Sequence, residues 1–342
     1  MNNYDSVWLI TGICGQDGSL LADYLLGLGY KNIHGIIRRS ATFNTKNIDH
    51  IFDKLKLHYG DLTDAMNMHT IISKVKPDYI VNFAAQSHVK VSHDLENYTF
   101  QVNTLGVLHI LQSVRTLGLN TKIYHASTSE MYGNQTDGTV KLTENSLMTP
   151  VSIYGISKVA AQSICNMYRD AYGMFIVSSV LFNHEGPRRG HTFVTQKIVD
   201  YVAKFHKDSE CIKPLELGNL NAQRDWGNAS DYVEAVYLML MQDKPQNYVI
   251  ATGETHSVRE FVELAFGEIG IEIEWVGSGK HETGIDKQTG RIVVCVNERY
   301  YRDIDIECLI GDSSKASKEL NWTPRTTFLQ LVKNMVNHAV KV

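Results

Sequence analysis

Val7-Trp8-Leu9-Ile10-Thr11-Gly12-Ile13-Cys14-Gly15-Gln16-Asp17-Gly18 is the stretch whose reading decides the fold. Val7–Thr11 is short, apolar and partly β-branched, which suits a buried strand. Three glycines follow at a Gly-x-x-Gly-x-x-Gly spacing. Leu20, Leu21, Tyr24, Leu25 and Leu28 then share one face of a helix expected over 15–28. Glycines between a strand and a helix let the backbone turn tightly and approach a pyrophosphate, which the helix N-terminus attracts. Gly12, Gly15 and Gly18 are therefore candidate cofactor-binding residues, with a purely structural turn as the alternative reading.

Working outward, strand-like runs recur at 33–37, 55–59, 79–83, 122–125 and 176–182, with helical periodicity between most of them, notably at 97–117 and 153–172. This alternation predicts an α/β fold built on a doubly wound parallel (Rossmann) sheet. After Asn183 the pattern loosens, with a loop at Gly186-Pro187-Arg188-Arg189-Gly190. A helix at 232–241 and a strand at 248–251 return to the sheet, and helices are expected at 258–269 and 328–340. Two interleaved lobes follow: residues 1–184 with 222–253 as the dinucleotide domain, and 185–221 with 254–342 as a smaller substrate domain.

Composition bounds the class. The 342 residues carry a net charge of −4, so no basic field argues for nucleic acid or an anionic membrane. No apolar run approaches the roughly 20 residues of a membrane helix. The five cysteines are scattered, with no pair at metal-ligand spacing, so no metal is expected. With the first strand starting almost at once, the expectation is a reduced, cytoplasmic protein.

The end of the second strand selects the cofactor. An acid there would hold the ribose hydroxyl of NAD. Ile36-Ile37-Arg38-Arg39-Ser40 offers two guanidinium groups instead, which match a phosphate, so NADP is expected, with Arg38 as the discriminator. Asp61 and Leu62 suit the adenine, although Asp61 or Thr63 could instead cap a helix. Ala84 and Ala85, in Ala84-Ala85-Gln86-Ser87, are small enough for a cofactor to pass closely.

Tyr154 and Lys158 carry the chemistry. Four apart on a helix, they share a face, and a cation near a phenol of pKa about 10 favours the phenolate. Such a pair can take a proton from a hydroxyl as a hydride leaves the same carbon. Thr128 and Glu130, in Ser127-Thr128-Ser129-Glu130, follow a strand. Thr128 can hydrogen-bond the reacting oxygen, and Glu130 is a second base that simple alcohol oxidation does not need. A carboxyl buried there is expected to have a raised pKa.

With these residues the chain resembles the extended short-chain dehydrogenase/reductase family, and within it the nucleotide-sugar 4,6-dehydratases. The likeness runs through Gly12 to Gly18, Arg38-Arg39-Ser40, Gly60-Asp61-Leu62, Ala84 to Val89, Ser127 to Glu130, Tyr154 with Lys158, and Leu181 to Glu185. Thr192-Phe193-Val194-Thr195 with Lys197, and Arg224-Asp225-Trp226-Gly227, extend it beyond the sheet. Gly155, Ser157, Gly186 and His191 depart from the usual pattern. The resemblance implies Gln16, Asp17, His184 and Arg189 as further cofactor residues. Ser87, Asn183, Val194, Lys197, Arg224, Arg299 and Arg302 are its implied substrate residues. It implies GDP-mannose as substrate, conversion to the 4-keto-6-deoxy sugar with loss of water, and a homodimer or homotetramer paired through the helices at 97–117 and 153–172. A side activity reducing the keto product is compatible with it. The competing readings are a nucleotide-hexose 4-epimerase or reductase of the same fold, and a non-catalytic NADP-sensing protein.

Overall fold

The computed structural model describes residues 3–42, 44–208, 213–300 and 306–341. Six strands alternate with helices in the first half: β1 (Val7–Thr11), β2 (Asn32–Ile37), β3 (Lys56–Tyr59), β4 (Tyr79–Asn82), β5 (Lys122–Thr128) and β6 (Ile176–Leu181). With Asn247–Ile250 they form a seven-stranded sheet in the order Asn247–Ile250, β6, β5, β4, β1, β2, β3. Every neighbouring pair is parallel. The order reverses beside β1, and at such a switch point a crevice opens at the carboxyl ends of the strands. The doubly wound sheet read from the sequence is thus the observed one.

The helices are α1 (Gln16–Leu28), α2 (Ala65–Val75), α3 (Val89–Asp94), α4 (Glu96–Phe100), α5 (Gly106–Thr116), α6 (Ile153–Tyr172), α7 (Val194–Lys207), α8 (Ala229–Leu240), α9 (Val258–Gly267), α10 (Ser314–Leu320) and α11 (Phe328–Lys341). The single helix expected over 97–117 is interrupted: α4 and α5 are joined by a π-helical turn at Gln101–Leu105. A non-local set of bonds is made from within that turn. Buried Asn103 accepts from the Gln86 amide at 2.9 Å and donates to the Gln86 carbonyl at 3.0 Å and to Ser157 Oγ at 3.0 Å.

Apolar side chains divide into more than one core. Trp8, Ile10, Leu21, Leu25, Val81 and Tyr124 pack around the large sheet. A separate cluster of Val199, Phe205, Phe261, Phe266, Val294 and Leu331 joins α7, α9 and α11 to a four-stranded sheet, Ile273–Val276, Thr283–Asp286, Ile292–Val296 and Leu215–Leu217. The sequence had shown these later strands only as an irregular region. We retain the assignment of 1–184 with 222–253, and 185–221 with 254–342, as a proposal consistent with these cores. One element departs from it. In α10 and just after, Ala316, Leu320 and Trp322 are buried in the core of the large sheet, where Tyr232 meets Trp322 edge to face.

Candidate active site

At the carboxyl edge of the large sheet lies a cavity of about 1630 Å³. That exceeds the roughly 300–1,000 Å³ typical of a single small-ligand pocket, so two ligands fit end to end. Every candidate residue from the sequence lines it except Arg302, which lies outside the described residues.

The glycine loop forms one wall. Gly12 has φ +69°, and a Cβ there would lie 2.9 Å from the Ala84 nitrogen. A Cβ at Gly18 would be 2.4 Å from the Gly12 carbonyl oxygen, so α1 can start only against a bare backbone. Gly15 caps α1 without any side-chain acceptor. The first-turn N–H groups are left for an anion, and this chemistry fits a dinucleotide pyrophosphate. Arg38 at the end of β2 donates to the phenol of Tyr98, which also lines the cavity and which the sequence reading missed. Arg39 folds back on the Ser40 carbonyl at 2.5 Å. Asp61 accepts from Thr63, but α2 is capped by Asp64, which accepts from the Asn67 amide at 2.9 Å. Capping therefore does not explain Asp61.

Asp17 and His184 form a pair across the cavity floor, with His184 Nε2 2.9 Å from the Asp17 carboxylate. Burial works against both charges, yet their mutual attraction prevails: Asp17 is held below the usual carboxyl value and His184 above the usual imidazole value. Gln16 Nε2 donates to the His184 carbonyl at 3.0 Å, closing the loop onto this pair. Arg189 stands 3.0 Å from buried Glu185, and its guanidinium lies 3.8 Å from the centre of the Phe193 ring.

Thr128, Glu130, Tyr154 and Lys158 converge at the cavity's centre. Strand β5 delivers Thr128, the single turn after it delivers Glu130, and the first turns of α6 deliver Tyr154 and Lys158. Gly155 explains how closely these segments approach. A Cβ there would lie 2.8 Å from the Glu130 carbonyl oxygen and 2.9 Å from Pro150 Cβ. Lys158 is buried and donates to the Ala126 carbonyl at 2.8 Å, with its ammonium 6.0 Å from the centre of the Tyr154 ring. Burial pushes its pKa down to about 8.

Here the structure corrects the sequence reading. Tyr154 is not lowered by its lysine; its pKa is pushed up to about 12. Burial is the main cause, with a hydrogen bond from Thr128 lowering it, Glu130 raising it, Arg189 lowering it and Asp17 raising it. Nor is Glu130 sealed away: it is half-buried and faces the cavity.

At the far end, Lys197 donates to the Glu216 carbonyl at 2.6 Å and sits 3.5 Å over the Tyr300 ring. Arg224 is buried and donates to the Gln223 carbonyl at 2.9 Å. Ser87, Asn183, Val194 and Arg299 also line the cavity, Arg299 as an exposed residue. The cavity thus brings together a glycine-rich loop, the group Thr128, Glu130, Tyr154 and Lys158, and the cations Lys197, Arg224 and Arg299.

Sheet, glycine loop and Tyr/Lys pair together are those of a short-chain dehydrogenase/reductase. A UDP-glucose 4-epimerase from Thermus thermophilus, solved with NAD, superposes with a TM-score of 0.81 at 25% identity, covering 97% of this chain and 98% of that one. The chain belongs to the GDP-mannose 4,6 dehydratase family, whose sequence pattern matches residues 9–335. It is 50% identical to GDP-mannose 4,6 dehydratase of Drosophila melanogaster, over 99% of this chain and 87% of the relative. It is 49% identical to the Homo sapiens protein of that name, over 98% and 92%. Among the described residues no helix is long and apolar enough to cross a membrane, and no cluster of side chains could hold a metal ion.

Proposed function

We propose that this chain converts GDP-mannose to GDP-4-keto-6-deoxymannose and water, with NADP held throughout the cycle. The observation that carries this reading is Glu130, half-buried in the same cavity as Tyr154, Thr128 and Lys158. An epimerase or plain reductase needs no carboxyl beside its tyrosine, whereas abstraction of the C5 proton and departure of the C6 hydroxyl do.

Bound nicotinamide supplies a hydride acceptor at C4 and a hydride donor at C6. The chain's own residues do the rest. Tyr154, whose phenol burial keeps protonated in the unliganded site, takes the O4 proton once the positive charge of an oxidised nicotinamide would favour its phenolate, while Thr128 hydrogen-bonds that oxygen. Lys158, fixed on the Ala126 carbonyl, is assigned to the ribose of the cofactor. With the C4 ketone formed, the C5 proton is acidic and Glu130 removes it; the protonated carboxyl then gives its proton to the departing C6 hydroxyl, and as C6 accepts hydride, C5 takes back the proton that Tyr154 received from O4. Lys197, Arg224 and Arg299 are the cations we assign to the diphosphate, with Asn183, Ser87 and Val194 along the sugar. Arg38, with no acid at the end of β2, supports NADP over NAD. His184, Asp17 and Arg189 are assigned to the cofactor side of the cavity.

We assign the enzyme to the cytoplasm and to a homodimer or homotetramer. Leu105, Ile156, Met167 and Tyr172, exposed by 41–46% on the helical runs of 96–116 and 153–172, favour pairing through those helices.

Mass spectrometry of GDP-mannose incubated with the enzyme and catalytic NADP⁺ tests the reading. Loss of one water without accumulation of NADPH is the expected result. An unchanged mass overturns it.

A further inference from the structure

Helix α3 makes two contacts that the proposed chemistry does not use. On its inner side, Ser92 is fully buried; its hydroxyl donates to the Val89 carbonyl at 2.6 Å and accepts from the Tyr154 backbone N–H at 3.1 Å. On its outer side, Lys90 lines the cavity and donates to the Arg299 carbonyl at 2.6 Å.

The first of these has a specific cause. The first N–H groups of a helix have no partner within it. In α6 the cap Ser152 serves the Gly155 amide at 3.0 Å, and the Ile156 amide reaches the Ser152 carbonyl at 2.9 Å. The Tyr154 amide is left over in a buried place, where an unmet donor costs about 1–3 kcal/mol. Ser92 meets it from a different helix. The backbone of the reactive tyrosine is therefore held by α3, and α3 is held by the segment that carries Arg299.

We propose that Ser92 is a positioning residue for Tyr154, and that Lys90 makes its helix answer to the Arg299 segment at the nucleotide end of the cavity. When the Arg299 segment is seated, Lys90 fixes the outer face of α3 and Ser92 fixes the Tyr154 amide; when that bond is lost, the first turn of α6 loosens. The proposal rests on the reading of the cavity given above.

The test has two arms. Amide hydrogen exchange on the intact protein is followed at the first turn of α6 in wild type, Ser92→Ala and Lys90→Met. Exchange at Tyr154 is expected to quicken about tenfold in Ser92→Ala and about threefold in Lys90→Met. Turnover of GDP-mannose is then compared. In Ser92→Ala the kcat falls about tenfold, with KM and NADP affinity within about twofold. In the double variant kcat is no lower than in Ser92→Ala alone, because the two losses act through one bond.

Unchanged exchange at Tyr154 in Lys90→Met overturns the proposal. So does a Ser92→Ala enzyme that is less stable yet keeps the wild-type kcat, since that is a structural serine only. A wild type that leaves GDP-mannose untouched sinks the assigned substrate alone, and the exchange arm still decides the coupling.

Discussion

Lys158 directs its ammonium to the Ala126 carbonyl, 2.8 Å away, and stands 6.0 Å from the ring centre of Tyr154. The lysine is thus anchored to β5 rather than spent on the phenol. Burial pushes it from the ordinary 10.5 down to about 8. For a base with a lowered folded pKa, the stabilising contribution is complete above the unfolded value and is lost as pH falls through about 8. Near neutral pH the unliganded fold therefore carries a penalty of about 3 kcal/mol. Lys158→Met should raise the Tm of cofactor-free protein relative to wild type at pH 7 and lose that advantage by pH 10, while kcat collapses. Thermal melts of both proteins across this range check it.

Gly155 admits the Glu130 turn against α6, because a Cβ would sit 2.8 Å from the Glu130 carbonyl oxygen. Gly155→Ala should push Glu130 away from the sugar. We expect a stability loss of about 1–3 kcal/mol from overpacking and a kcat that falls toward that of Glu130→Gln, with NADP affinity retained. Steady-state kinetics beside a cofactor titration separate these effects.

Asp17 and His184 stabilise one another with opposite pH signs. The raised His184 contributes fully below its ordinary 6.5 and loses that contribution as pH rises through its folded value. The lowered Asp17 contributes above its ordinary 3.8 and loses it as pH falls through its folded value. Their joint contribution is largest between those limits. Asp17→Asn should destabilise by on the order of 2 kcal/mol at pH 6 and by less at pH 9. Denaturant midpoints at the two pH values give the answer.

Arg38 lines the cavity just after β2, bonded to the Tyr98 phenol. If it reads the ribose phosphate, Arg38→Ala weakens NADP binding by about 10- to 100-fold and leaves NAD binding nearly unchanged. Fluorescence titration with both cofactors measures the ratio.

Much of this was legible in the sequence because its causes are local. The glycine spacing fixes the β1–α1 turn, alternating periodicity fixes the parallel sheet, and a four-residue step puts Tyr154 and Lys158 on one face. What was not legible depends on partners far along the chain. Tyr98 reaches Arg38 over 60 positions, and Ser92 reaches the Tyr154 amide over 62. The π turn at Gln101–Leu105 answers to Gln86 and Ser157, which periodicity cannot see. The high pKa of Tyr154 is a burial effect, and spacing alone carries no measure of burial.

The central claim is that one hydride leaves C4 and returns to C6 of the same sugar. GDP-mannose deuterated at C4 tests it most directly, with the product analysed by NMR and mass spectrometry after turnover with catalytic, unlabelled NADP⁺. Deuterium retained in full and found at C6 is the predicted result. Deuterium lost from the sugar, or found in released NADPH, would contradict the account.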